Sequence, residues 1–537
     1  MLCLRLLNYT DSRSSMSTIK TNLTMWLHIS HCVIILERGN YIGTVILFCF
    51  ILGLFAYLDA KKPKNYPPGP EWYPIIGCML LVQRLRKETG YLYRACEELS
   101  RQYGPVVGLK VGKDKTIVCS GYEAVKELLT KEEFDGRPSG PFYEDRTWGS
   151  RRGLLLVDEQ FWVEQKRFVL RHLREFGFGK RTMSELVEEE SFQLLSTFRE
   201  AIAKEGGRSA VVPMRDAFSV SVLNTLWSML AGIRYSPEDK ELKHLQGLLT
   251  ELFANIDMVG TIFSQFPFLR WLAPEKSGYK QFIDIHQNVW KFLKTELDNH
   301  KATFKADDPR DLMDVYLEML RSKDRSSSFS ESQLLAICMD MFMAGSETTS
   351  KSMGFGFLYL LYHPEVQVRA QEELDRVVGR NRLPTLNDRP EMPYMESIVL
   401  ESVRMFMGRT FSIPHRALRD ATIQGYNVPK GTMLIANFHH VLMSPEFWDE
   451  PELFKPERFI NAENKVVIPD NYLPFGFGKH RCMGQALARS NIFLFTATLL
   501  QNFTFSCVPG QDLPSKLGVD GVTPSPGEFD ALVTVRD

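Results

Sequence analysis

Residues 475–484 read Phe475-Gly476-Phe477-Gly478-Lys479-His480-Arg481-Cys482-Met483-Gly484. Three glycines stand around one cysteine, and the run 485–500 that follows has helical spacing. Gly476, Gly478 and Gly484 allow positive φ and a close approach of the backbone to a flat ligand. A cysteine just ahead of a helix meets the positive helix end and free N–H donors, both of which favour thiolate. No CxxC pair occurs in the chain, so neither a zinc ribbon nor a thioredoxin-type pair is signalled. A lone thiolate suits a metal whose other ligands come from a macrocycle, and haem is the case that fits. Taken without its neighbours, Cys482 would read as a buried structural cysteine; the glycines around it turn the reading.

The stretch resembles the haem loop of the cytochrome P-450 family, F-x-x-G-x-[RH]-x-C-x-G, through Phe475, Gly478, His480, Cys482 and Gly484. The resemblance runs over about residues 65–537. It is nearest the microsomal type, in the insect branch of the drug- and steroid-hydroxylating group. It implies the family's haem-thiolate fold and haem b (iron protoporphyrin IX) with Cys482 as axial iron ligand. It also implies electrons from NADPH through NADPH–cytochrome reductase, with cytochrome b5 as a second donor.

Four further signatures stand in family order. Ala344-Gly345-Ser346-Glu347-Thr348-Thr349 lies inside the helical run 331–361, whose start is marked by the capping pair Ser330 and Gln333. Threonines here can bond to the carbonyls of the preceding turn. The resemblance assigns proton delivery to Thr348, assisted by Glu347, with Gly345 clearing space for O2. Cleaving the O–O bond needs protons, which an acid and an alcohol side by side can relay. Glu401 and Arg404 share a helix face, and the family joins them to Arg458 of Pro456-Glu457-Arg458-Phe459 in a buried ionic cluster. Propionates of haem need donors; the matching positions are Trp162, Lys166, Arg137, His415 and His480. Lys166 stands where arginine is usual and offers a point charge in place of a planar fork. Basic residues thicken after Trp162 (Lys166, Arg167, Arg171, His172, Arg174, Lys180, Arg181), which fits docking of an acidic electron donor.

Periodicity over the body reads mainly α with a small β component and no internal repeat. Helices are expected at 83–102, 121–131, 159–175, 181–204, 214–232, 282–303, 310–321, 331–361, 364–378 and 394–407, with strands at 105–110, 115–119, 421–423, 432–435 and 531–536. The chain has 64 basic and 65 acidic residues, so no global field points to nucleic acid. Hydrophobic residues at 44% supply a large core, and nine cysteines in 537 residues are too dilute for a disulfide scaffold. Residues 41–58 carry no charge over 18 positions, about 27 Å of helix. That length predicts a transmembrane anchor. Lys61, Lys62 and Lys64 follow it, which places the body on the cytoplasmic side of the endoplasmic reticulum membrane.

The expected organisation is an N-terminal extension of unknown role (1–40), the anchor (41–58), a basic, Pro-rich spacer (59–70) and a haem-thiolate domain (71–537). The expected reaction inserts one atom of O2 into a lipophilic small molecule such as a steroid, terpenoid, fatty-acid derivative or xenobiotic. Two rival readings use the same cysteine: a haem-thiolate isomerase or dehydratase needing no reductase, and a non-catalytic membrane haem-binding protein.

Overall fold

The computed structural model describes residues 41–256, 261–305 and 308–536. The expected extension 1–40 lies outside them. Two compact units are present: the N-terminal helix through Lys61 together with Tyr73–Ile75, and Lys62–Trp72 with the chain from Ile76 onward. In the first unit, α1 (Tyr41–Ala60) has no side-chain partition into polar and apolar faces. Its segment Gly43–Ala60 has mean hydropathy 2.0 and no buried residue, and is long and apolar enough to cross a membrane.

In the second unit the Pro-rich stretch is not a free spacer. Lys62 Nζ donates to Gly69 O at 2.7 Å. Gly108 N donates to Pro68 O at 2.8 Å. A Cβ on Gly69 would lie 2.1 Å from Gly108 O, so only glycine lets the two backbones meet. Proline carbonyls remain good acceptors although proline has no N–H, and this stretch uses them to edge the sheet.

Thirteen longer helices follow: α2 (Met79–Thr89), α3 (Leu92–Tyr103), α4 (Tyr122–Thr130), α5 (Glu159–Glu175), α6 (Arg181–Lys204), α7 (Ser219–Ala231), α8 (Lys240–Asn255), α9 (Tyr279–Thr303), α10 (Leu312–Arg321), α11 (Glu331–Tyr362), α12 (Pro364–Val377), α13 (Pro393–Met407) and α14 (Gln485–Asn502). The single helix expected at 83–102 is two, because Gly90 takes φ 82° and caps α2. Helix α8 was not expected; Gly247 interrupts its apolar stripe, and its N-cap is Asp239, whose side chain accepts from Leu242 N at 2.8 Å.

The strands are β1 (Val106–Val111), β2 (Asp114–Cys119), β3 (Ser209–Pro213), β4 (His415–Arg416), β5 (Ala421–Ile423), β6 (Tyr426–Val428), β7 (Met433–Ala436), β8 (Phe503–Ser506) and β9 (Asp530–Val535). They form sheets ordered β1-β2-β7-β4, β3-β9-β8 and β5-β6. In the first sheet β2 and β7 run parallel with Ile117 opposite Leu434, and β4 sets His415 beside Leu434. Strands β4 and β6 are too short to show a period-two pattern, and β3 and β8 alternate buried and outward positions over only five and four residues.

Helix α11 is buried on nearly every side and packs against α7 and α13. Its capping is half of the expected box: Ser330 Oγ accepts from Gln333 N at 3.1 Å. The Gln333 amide instead embraces Gly153, giving and taking one bond of 2.9 Å each. At Gly345 the expected clearance for O2 has a packing cause: a Cβ there would fall 2.5 Å from Leu226 Cδ2 on α7.

Helix α13 carries Glu401 and Arg404, both fully buried. Arg404 grips Glu401 with Nε at 2.7 Å and Nη2 at 2.9 Å, and gives Nη1 to Leu442 O at 2.7 Å. Arg458 Nε and the Lys455 amide reach Glu401 Oε1 at 3.1 and 2.9 Å. Removing one member strands a buried charge, at about 3–5 kcal/mol. Arg404→Ala is therefore expected to give protein that melts lower or collects as aggregate in size-exclusion chromatography. A variant with an unchanged melting midpoint would contradict this.

Candidate functional site

The decamer folds as a closed loop ahead of α14. Cys482 N donates to Phe475 O at 2.9 Å, and Ala488 N to Gly484 O at 2.8 Å starts the helix. Gly476 and Gly478 take φ 70° and 68°. At Gly478 the fit is also steric, since a Cβ would lie 2.2 Å from Leu129 O at the end of α4.

The Cys482 thiol is accessible, although protein packs closely about it. Burial pushes the thiol above its ordinary value, while the Gly484 and Gln485 amides and the Arg481 and Lys166 charges pull the other way. The expected thiolate preference is thus outweighed for the bare thiol; a coordinated metal cation is what deprotonates such a sulfur outright.

Five of the sequence-derived positions converge beside this loop. Trp162 stacks on His480 with ring centroids 4.1 Å apart, and His480 meets His415 edge-on at 5.5 Å. Lys166 Nζ sits 4.4 Å over the Trp162 ring and donates to Lys479 O. Lys166 makes no carboxylate pair, and burial with Arg137 nearby lowers its pKa. Arg137 Nη1 donates to Pro414 O at 3.0 Å. Its Nε is buried without a partner. Each histidine spends one nitrogen on a backbone carbonyl, His415 Nδ1 on Phe134 O (2.7 Å) and His480 Nε2 on Asp135 O (3.0 Å). Burial, reinforced by Arg137, holds both below their ordinary range, His480 at about 3. The orphaned Arg137 nitrogen and the lysine fit a group bearing carboxylates, the histidines would join them by taking up a second proton beside that charge, and the exposed cysteine fits a metal. These residues fit haem.

The acid and the alcohol do not meet. In the buried helix α11, Ala344 is exposed and Gly345 and Thr348 are partly so. Thr348 Oγ1 donates to Ala344 O at 2.9 Å. Glu347 is 3% exposed and pairs with Lys351, not with Thr348.

Sequence reading missed the clamp two turns earlier on the same helix. Asp340 accepts from Arg146 Nη2 at 2.6 Å and from the amides of Leu154 and Leu155 at 2.6 and 2.8 Å. It also missed Asp158, which gathers Arg151, Arg416 and the Arg137 amide. Single carboxylates bound to distant loops leave no spacing signal. The one cluster of metal-ligating type among the described residues, His300, Asp311 and Asp314, is closed by Arg310, which grips Asp314 at 2.7 and 2.9 Å.

A cavity of about 430 Å³, lined by none of these site residues, is walled by Val82, Leu92, Leu109, Val118, Phe282 and Phe411, with Gln83 and Lys276 among its polar lining. Of the basic run after Trp162, Arg171 and His172 face Glu175 and Arg181 faces Glu185. Arg167, Arg174 and Lys180 have no acidic partner among the described residues.

The Cytochrome P-450 family model matches residues 67–531. The chain belongs to the cytochrome P-450 family. It is 46% identical over 497 residues to the probable cytochrome P-450 303a1 of Drosophila melanogaster, covering 91% of this chain and 98% of that one. It is 34% identical over 495 residues to the farnesoate epoxidase of Bombyx mori (92% and 98%). It is 32% identical over 470 residues to cytochrome P-450 2J3 of Rattus norvegicus (86% and 90%). As a cytochrome P-450 the chain is a monooxygenase-class oxidoreductase, and its family implies haem, a redox partner and a lipophilic substrate.

Gly478→Ala is expected to lose the loop's closure, through both the positive φ and the Leu129 contact. The measurement is pigment per polypeptide after purification, with a fall of fivefold or more expected; wild-type loading would refute the steric argument.

Proposed function

We propose that this cytochrome P-450 is a membrane-anchored haem-thiolate monooxygenase of a lipophilic small molecule, drawing electrons from NADPH through a reductase. The observation that carries this is the accessible Cys482 sulfur beside the cluster of Arg137, Trp162, Lys166, His415 and His480. Bound haem supplies the activation of O2. The residues of this chain do the rest. Cys482 holds the iron, and the loop amides of Gly484 and Gln485 steady its charge. Arg137 and Lys166 would hold the propionates, with His415 and His480 joining them on taking up a second proton. Thr348 presents a hydroxyl to the interior, and Glu347 on the same turn of helix is the acid that would replenish its proton. Glu401, Arg404 and Arg458 keep the loop's underside fixed.

The substrate has an apolar body and a polar end. Support comes from a cavity with mainly apolar walls and Lys276 and Gln83 among them. A relative is named for epoxidation of farnesoate, a terpenoid acid, which makes farnesoate the first compound to try. The reductase would dock over Arg167, Arg174 and Lys180, whose charges are not neutralised by neighbours; charge of this kind raises the encounter rate more than the affinity. The chain would sit in the endoplasmic reticulum membrane through Gly43–Ala60, with the lysines that follow on the cytoplasmic side.

The deciding experiment is the reduced, CO-treated difference spectrum of the full chain and of Cys482→Ala. A Soret band far to the red in the wild type and its loss in the variant are expected. A band at the position typical of nitrogen ligation in the wild type would overturn the reading. Farnesoate turnover that requires both NADPH and reductase would exclude the isomerase alternative.

A further inference from the structure

Neighbours in an α-helix point about 100° apart, and residues four apart share a face. Glu347 and Thr348 are neighbours; Glu347 and Lys351 are four apart. Both charged residues are almost wholly buried, at 3% and 4% exposure, and they form an ion pair. The second oxygen of Glu347, Oε1, accepts from Thr250 Oγ1 at 3.3 Å. Thr250 belongs to α8, and the later residues of α8, Leu252 and Asn255, line the 430 Å³ cavity. Phe253, between them, has its ring 5.7 Å from Lys351 Nζ. Its carbonyl takes the Val522 amide at 2.8 Å, and a Cβ on Gly521 would lie 2.2 Å from the same oxygen. The end of α8 is thus tied to the C-terminal loop as well as to α11.

From this geometry we infer that Thr250 and Lys351 are positioning residues for Glu347, one fixing each carboxylate oxygen so that the acid is aimed and kept supplied for the proton relay to Thr348. The inference rests on the reading of Glu347 and Thr348 as that relay. Lysine pairs with the buried carboxylate from its own helix. Threonine fixes the remaining rotation from the helix that also walls the cavity, which links cavity contents to acid geometry. Neither residue contacts Thr348.

The electron balance gives a readout that needs no identified substrate. Two electrons from NADPH and two protons turn O2 into one water and one inserted oxygen atom when delivery is timely. The same two electrons and two protons leave as H2O2 when it is not. Full-length holoenzyme in lipid vesicles with reductase, NADPH and farnesoate as probe gives peroxide released per NADPH oxidised, whether or not farnesoate is turned over. Thr250→Val is expected to raise that ratio at least twofold with a larger solvent deuterium isotope effect, and Thr250→Ser to return both to wild type. Independently of turnover, Lys351→Met is expected to lower the melting midpoint, and Glu347→Gln added to it to recover most of the loss. An unchanged or lower peroxide ratio in Thr250→Val, a Thr250→Ser variant that behaves like valine, or no recovery in the double variant would each overturn the inference. Failure of the haem-thiolate reading looks different: wild type would then show no red-shifted CO band and oxidise no NADPH.

Discussion

The sulfur of Cys482 has to stay reachable inside the protein while carrying a charge that its surroundings resist. Burial raises the thiol, and two backbone amides with two cationic side chains do not reverse the sign. In the iron-ligand role proposed above, such a sulfur is best held by backbone, because a lone-pair side chain brought close would compete for the metal. The loop meets this need. One amide bond to Phe475 closes it, Gly478 lets it lie flat on the end of α4, and α14 starts directly behind it. The stacked Trp162, His480 and His415 and the charges of Arg137 and Lys166 then fall around the space the loop faces.

The interior is unusually rich in charge for a chain with an ordinary composition. Glu401 with Arg404, Asp340 with Arg146, and Glu347 with Lys351 are all nearly inaccessible. Buried pairs of this kind add little net stability, because desolvation offsets attraction. Their value lies in direction. A carboxylate with two or three fixed donors has one orientation, and each of these three sets a different part of the molecule: the chain from Leu442 to Arg458, the loop 146–155, and the acid next to Thr348.

Much of this could be read from sequence, and the reasons differ by element. The cysteine loop was legible because an ordinary buried cysteine has no need of three glycines around it, whereas a backbone lying against a flat ligand does. Helices α5 and α6 were legible to the residue, because their apolar stripes are unbroken and their ends are polar. Helix α8 was hidden by Gly247, and the break between α2 and α3 by an apolar pattern that continues in phase across Gly90. The positions joined by long contacts were out of reach unless a family pattern named them: Arg137 comes from the loop before Pro138, His415 from strand β4 and His480 from the cysteine loop. Lys351 was within reach, since a lysine four residues after a glutamate in a buried helix is a recognisable pair, yet Thr250 was not, because nothing local marks its hydroxyl.

The clamp at Asp340 bears on how far this part of the molecule can move. One carboxylate on α11 holds Arg146 and the amides of Leu154 and Leu155, Gln333 holds Gly153 from one end of the same helix, and a Cβ on Gly153 would strike Asp340 Oδ2 at 2.1 Å. That stretch of chain cannot lift without breaking several buried bonds together. A loop pinned in this way keeps its shape while neighbouring helices breathe, so its amides should resist exchange with solvent longer than those of a loop held by turns alone.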